Sequence, residues 1–112
     1  MDDNVLIGGF IVGVGTETVL LRAIGPSLGM SGFPSPLADP VLEMHNASGD
    51  MIGFNDDWKD DQQAEIEATT IAPTDDREAA ILAALPSGNY TAILRGKGDT
   101  TGAALVEVYG LD

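Results

Sequence analysis

The chain has 112 residues, a length typical of one domain, and its 44% hydrophobic content provides for a core and excludes general disorder. Eighteen acidic and five basic side chains give a formal net charge of −13, which opposes binding to nucleic acids and to anionic membrane surfaces. The chain has no cysteine, which excludes disulfides, zinc–thiolate sites, iron–sulfur clusters and thiol catalysis.

The N-terminal quarter is rich in Leu and β-branched residues. Residues 5–14, VLIGGFIVGV, and 17–24, ETVLLRAI, predict two strands joined by a tight turn at Gly15–Thr16. The first run is far shorter than the roughly 20 residues of a membrane-spanning helix, so no membrane insertion is expected. Two acids stand where a signal peptide would carry basic residues, so no signal peptide is expected in this chain. The chain is then expected to be either cytoplasmic or an excised mature domain to which Met1 was added.

The middle of the chain begins with a connection rich in Gly, Pro and Ser over residues 25–40. Residues 41–46, VLEMHN, alternate, which predicts a strand that buries Leu42 and Met44 and exposes Glu43 and His45. After an ASGD turn, residues 51–54 return as the partner strand.

The segment 54–78, FNDDWKDDQQAEIEATTIAPTDDRE, is predicted to be an acidic loop that contains one or two helical turns. Residues 78–85, EAAILAAL, favour a short buried strand, with a helix as the alternative, and PSGN ends them. Residues 90–96 and 103–109 both alternate and predict a β-hairpin around the turn KGDTTG. The predicted fold is therefore a single all-β domain over residues 1–112. It is an antiparallel, jelly-roll-like β-sandwich of about eight short strands.

Several of these motifs resemble a known family. PVLEMHNASGDMIGFNDDW resembles the D-x-x-L-x-L-x-d-x-x-G-x-x-I-x-x-n-D-D segment of bacterial pre-peptidase C-terminal domains. LPSGNYTAILRG and GAALVEVYGL resemble the closing strands of those domains, and LLRAIGPSL resembles a variant front half found in large bacterial surface and secreted proteins. The resemblance covers most of the chain. It implies a jelly-roll sandwich in an extracellular or cell-surface location, and a non-catalytic structural or adhesion module.

Calcium is the one cofactor that the sequence suggests. Some members of the family bind it with an acidic N-terminal segment, but only Asp2 and Asp3 stand in that region here, so no ligand is carried over. Calcium takes six to eight oxygen ligands that converge from loops. The acidic loop offers candidate ligands in two clusters: Asn55, Asp56, Asp57, Asp60, Asp61, Asp75, Asp76 and Glu78. The alternative is that this loop is fully solvated and binds no metal.

Individual loop residues also have purely structural interpretations. Asp75 could cap a turn, Glu78 could pair with Arg77, Arg95 or Arg22, and Trp58 could cover the edge of the core. A glycan-binding surface at Trp58, or a glycoside hydrolase that uses two of the carboxylates, is a further alternative. His45, the single histidine, is expected at the surface, which argues against a His-dependent hydrolase. The favoured prediction is that the chain is not an enzyme.

The N-terminal apolar run has two interpretations. It is a central strand buried between two sheets, or it is donated to a neighbouring copy by β-strand addition and builds a filament. The residues that would mediate such assembly are Val5, Leu6, Ile7, Phe10, Ile11 and Val12. The expected partners are therefore neighbouring modules or further copies of the chain. The sequence does not identify a glycan or surface partner.

Overall fold

A computed structural model describes residues 5–32, 35–100 and 102–111. It is an antiparallel all-β fold, as the sequence predicts, with one short helix, α1. The elements in chain order are β1 (Val5–Ile24), β2 (Pro40–His45), β3 (Met51–Asn55), α1 (Gln63–Ala68), β4 (Ala79–Gly96) and β5 (Leu105–Gly110), with 3₁₀ turns at Pro26–Ser31 and Lys97–Asp99. In these ranges no helix is long and apolar enough to cross a membrane.

Two long strands organise the sheet, whose strand order is β3-β2-β4-β1-β5. β1 and β4 pair from Val5 opposite Arg95 to Ala23 opposite Ala79, and their register shifts between Val12 and Thr16. This shift divides the sheet into two parts. The first half-sheet contains β3, β2, residues 88–96 of β4 and residues 5–12 of β1; the second contains residues 79–86 of β4, residues 16–24 of β1, and β5.

The predicted turn at Gly15–Thr16 is wrong, because β1 is one strand of 20 residues. Gly15 has a φ of +75°, yet the chain does not reverse there. The register irregularity of β1 lies across from the segment of β4 around Pro86 and Gly88. Between the pairs Val12–Gly88 and Thr16–Pro86, β1 has three residues where β4 has one, so the turn-forming residues of β1 form a bulge and pairing continues beyond it. For the same reason PSGN does not end β4, which runs for 18 residues.

The predicted hairpin between residues 90–96 and 103–109 is also wrong. Both segments are strands, but residues 88–95 pair with β1 on one side, and most of them pair with β2 on the other. β5 pairs instead with residues 19–24 of β1. Residues 91–95 of β4 have β1 on one side and β2 on the other, so they have no free side for β5, which pairs with β1 at the far side of the sheet. Because β1 and β4 are so long, the described part of the chain has five strands and not the predicted eight or so.

The main hydrophobic core draws on both half-sheets. Leu42, Met44 and Leu94 of the first half-sheet belong to the same buried cluster as Leu21 and Ile81 of the second. Alternation in β2 buries Leu42 and Met44, as predicted, and leaves Glu43 and His45 on the other, half-buried face. β3 returns antiparallel to β2, which is also as predicted.

A second apolar cluster covers the outer face of the second half-sheet. It consists of Leu20, Trp58, Ile66 of α1 and Ala80, with Leu82 and Tyr109 packed against it. The second half-sheet is thus buried on both faces. This explains why residues 19–24 and 79–85 read as nearly continuous apolar runs with little alternation.

Candidate functional site

The register of β2 and β3 gathers three carboxylates at one end of the first half-sheet. Asp39 directly precedes β2, while Asp56 and Asp57 directly follow β3. Leu42 lies opposite Asn55, so the start of β2 is beside the end of β3. One oxygen from each of the three aspartates lies within 4.8 Å of the other two. We call these residues the aspartate cluster.

Two oxygens of the aspartate cluster are buried without a partner. Asp39 Oδ1 and Asp56 Oδ1 have no hydrogen-bond donor in the part of the chain that the structure describes. The other oxygen of Asp56 accepts from Lys97 Nζ at 2.7 Å. One lysine therefore faces three carboxylates, and the local charge is under-compensated.

This imbalance perturbs proton binding. Burial, followed by repulsion from Asp56, raises the pKa of Asp39 from 3.8 to about 6. Burial and the charge of Asp56 also raise the pKa of Asp57. The hydrogen bond to Asp56 raises the pKa of Lys97, which keeps it cationic. The cluster thus favours an added positive charge, whether a proton or a metal cation.

The remaining members of the first predicted group have other contacts. Asn55 is buried; its Oδ1 accepts from Ala80 N at 3.0 Å and its Nδ2 donates to Asp57 O at 3.1 Å. Asp61 accepts a longer bond from Asn55 Nδ2, and Asp60 is exposed on the loop. Asn55 therefore fixes the backbone beside the aspartate cluster, whereas Asp60 and Asp61 lie outside it.

The second predicted group is used for loop structure. Asp75 Oδ1 accepts from Arg77 N at 2.9 Å, so the predicted turn cap is confirmed. Asp76, 75% exposed in its side chain, pairs with Lys59. The prediction that Glu78 pairs with an arginine is wrong, because its carboxylate is fully buried and bonds Gly25 N and Ser27 N. The structure does not bring this group into the aspartate cluster.

Sequence reasoning missed Asp39 and Lys97 because both are distant in the chain from the acidic loop. One signal was available for Asp39. The leading acid of the D-x-x-L-x-L pattern falls on Asp39, two residues ahead of the alternating strand 41–46. Lys97 carries no such signal, since only the docking of β4 beside β2 places it there. That docking includes a bond from Lys97 N to Asp39 O at 2.9 Å.

Trp58 and His45 both have structural contacts. Trp58 is 5% exposed and lies in the second apolar cluster, so its ring face is not available to stack on a sugar. This confirms its predicted role as a cover for the core. His45 Nε2 contacts Glu43 Oε1 at 2.9 Å, and Glu43 also accepts from Arg95. The pKa of His45 is raised, chiefly by the hydrogen bond to Glu43.

The six predicted assembly residues all lie in β1 and pair with residues 88–95 of β4 in the same chain. Val12 is buried and Phe10 stacks on Tyr90, with ring centroids 5.5 Å apart. By contrast, Leu6, Ile7 and Ile11 are exposed. The interpretation of this segment as a central strand buried between two sheets is therefore wrong, because it lies at the edge of the first half-sheet.

Comparison with known proteins gives a match of fold. The chain is similar to the pre-peptidase C-terminal domain of a collagenase from Bacillus anthracis, with a TM-score of 0.59 and 9% sequence identity. The match covers 96% of this chain and 78% of that one. No protein-family model matches the chain, and no curated protein matches it significantly. The similarity supports the resemblance read from the sequence at the level of the fold.

Proposed function

We propose that this chain is a non-catalytic structural or adhesion module of a bacterial extracellular protein, and that its aspartate cluster binds Ca²⁺. The observation that supports the module is the pre-peptidase C-terminal fold, which extends over 96% of the chain. Domains of this kind are non-catalytic parts of secreted proteins, which suggests the extracellular location. A rigid sandwich of this type serves as a spacer or an attachment unit.

The chemistry of the aspartate cluster fits a hard cation. Three carboxylates supply oxygen ligands of the kind that Ca²⁺ prefers, and water would complete its six to eight positions. Among the described residues none donates to the buried oxygens Asp39 Oδ1 and Asp56 Oδ1, so a cation there would supply the missing interaction. Bound Ca²⁺ would supply positive charge and hold the start of β2 against the end of β3.

Thermal unfolding with calcium or with chelator tests the cation site. We expect calcium at millimolar concentration to raise the melting temperature of the wild-type chain by several degrees, because a ligand bound only by the native state stabilises it. Asp57→Asn is expected to abolish most of this increase. Asp50→Asn makes the same change of charge in the exposed turn between β2 and β3, and it should keep the full increase.

The results of this experiment test calcium binding without testing the proposed function of the module. An equal calcium response in both variants would place the effect outside the aspartate cluster. No response in the wild-type chain would remove calcium from the proposal and leave the module to be tested by itself.

The proposed extracellular location of the module is tested in the native organism. We expect a protease added to intact cells to degrade the protein, or the protein to be found in the culture medium. A cytosolic marker should remain protected in the same experiment. Detection of the protein only in the cytosol would contradict the extracellular assignment. Turnover of polysaccharide or peptide substrates by the purified chain, lost in Asp56→Asn, would instead support the hydrolase alternative.

A further inference from the structure

The first half-sheet has an edge without a partner strand. Residues 5–12 of β1 pair with β4 on one side, and β5 begins its pairing only at Val19. Within the described ranges no strand pairs with the other side of residues 5–12. In an antiparallel sheet, alternate residues direct their N–H and C=O groups to each side. This edge therefore presents a row of backbone donors and acceptors that a further strand can use.

The edge lacks two of the features that usually block such pairing, charged residues and proline. Natural sheets protect exposed edges with charged side chains, proline or covering loops. Residues 5–16 contain no charged residue and no proline. Moreover, Ile7 is 64% exposed and Ile11 is 76% exposed on the outer face beside the edge. Eight regular residues precede the register shift, which is enough for a full-length strand.

We propose that a second copy of this chain pairs with this edge, strand against antiparallel strand, and forms a closed dimer. A net charge of −13 on each chain opposes association, so a contact between two copies costs least along an edge that adds no local repulsion. In the described ranges three other edges exist. Along residues 79–86 of β4 the side chains of Asn55 and Gln62 already bond the backbone of Ala80 and Leu82, and the other two edges carry or adjoin charges. β3 leads directly into Asp56 and Asp57, and β5 contains Glu107.

The alternation of side chains restricts the register. Directly opposed residues point to the same face, so outward residues must oppose outward residues. A two-fold axis at Gly9 satisfies this rule and sets Ile7 of each copy opposite Ile11 of the other. On the inner face it sets Leu6 opposite Val12 and Gly8 opposite Phe10. The two Ile pairs would then be covered from solvent on both sides of the axis.

Such a dimer is closed and weak. Each copy has one such edge, so two-fold pairing consumes it and no filament grows. Eight residues of strand bury less than the roughly 800 Å² per partner of a standard interface, so we expect a dissociation constant of about 0.1 mM. Strand donation differs, because residues 5–12 would have to leave β4 of their own chain.

Sedimentation equilibrium over a range of concentrations tests the proposal. We expect the mass of a monomer at about 10 µM and approach to the mass of a dimer near 1 mM. Amide hydrogen exchange provides a second measurement. Alternate amides of residues 5–12 should become protected as the dimer forms, while the amides of β3 should not change.

Two lysine substitutions sharpen the test. Ile11→Lys places a charge at the proposed contact and should weaken dimerisation by about tenfold or more, since the two-fold axis applies the change twice. Met51→Lys makes the same change of charge at an exposed residue of β3, at the other side of the sheet. It should leave the dimer intact. Both variants reduce the net negative charge equally, so a difference between them is local.

Three results would overturn the dimer. A monomer at all concentrations would mean that the edge stays unpaired, although the structural module would remain as proposed. Equal weakening by both substitutions would move the contact away from β1. Growth beyond the dimer into fibres would favour strand donation.

Discussion

At the scale of single residues, Glu78 illustrates how an acid that looks like a metal ligand serves the fold. Its Oε2 accepts from Gly25 N at 3.0 Å and from Ser27 N at 2.9 Å, while Oε1 accepts from Ser27 Oγ at 2.7 Å. These bonds tie the end of the acidic loop to the 3₁₀ turn after β1. A buried carboxylate is tolerated there because backbone and hydroxyl donors satisfy it.

Replacement of Glu78 is therefore expected to be costly. Glu78→Ala leaves the N–H groups of Gly25 and Ser27 without their acceptor, and we expect the free energy of unfolding to fall by about 3 kcal/mol or more. Urea denaturation measures this loss. Asp76→Ala is the matched control, because its exposed pair with Lys59 contributes at most about 1 kcal/mol. A loss for Glu78→Ala as small as that of the control would contradict this role.

Asp39 gives the stability a pH dependence. Its pKa is about 6 in the folded chain and 3.8 as its ordinary value, so the folded state binds this proton more tightly. The stabilisation from protonation is fully present below pH 3.8 and is lost as the pH rises through about 6. We therefore expect the melting temperature, measured without divalent cations, to rise between pH 7 and pH 5.

The variant Asp39→Asn isolates this effect. His45 acts in the same direction, because Glu43 raises its pKa and its protonation also stabilises the fold as the pH falls. We expect Asp39→Asn to be more stable than the wild-type chain at pH 7 and to show a smaller rise on acidification. Identical pH profiles for the two chains would exclude Asp39 as the source.

At the scale of elements, the sequence predicts where strands are better than how they connect. Alternation identifies 41–46, 90–96 and 103–109 as strand segments because side chains on the two faces meet different surroundings, and the ASGD turn identifies 51–54 as the partner of 41–46. It carries no information about which strand lies beside which. The 90–96 segment is flanked by β1 and β2, so the hairpin expected from chain proximity does not form.

The candidate site was predictable only in part, for a related reason. Asp56 and Asp57 stand out as adjacent acids, but Asp39 joins them through strand pairing across the β2–β3 turn. The other acids of the loop look equivalent in sequence. What distinguishes these acids is the backbone N–H groups and the lysine or arginine side chains that bond them. Those partners come into place only when the loop folds.

The helix α1 makes a testable contribution to the second apolar cluster. Ile66 is fully buried against Leu20 and Ala80, so Ile66→Ala leaves a cavity and should destabilise the chain by about 2–5 kcal/mol. Glu65→Ala, on the exposed side of the same helix, should change stability by less than about 0.5 kcal/mol. Chemical denaturation monitored by Trp58 fluorescence measures both, and equal effects would contradict the role of Ile66.

At the scale of the whole molecule, the chain forms three layers: the first half-sheet, the second half-sheet, and the acidic loop with α1. The main core lies between the half-sheets, and the second apolar cluster lies under the loop. Most acids of the loop face solvent, whereas the edge formed by residues 5–12 is uncharged. The negative charge of the acidic loop and the uncharged edge of residues 5–12 therefore lie on different parts of the surface.

The pairing of the two long strands also governs the order of events in folding. Val5 lies opposite Arg95, and β5 pairs with β1 alone. β1 is the first strand in the chain, but it can pair only after β4 and β5 are available. Contacts this distant in sequence are slow to form, with folding times on the order of milliseconds to seconds. Until the C-terminal segments have been synthesised, β1 lacks both neighbours. A nascent chain of this protein would therefore expose its longest strand, β1, for most of its translation.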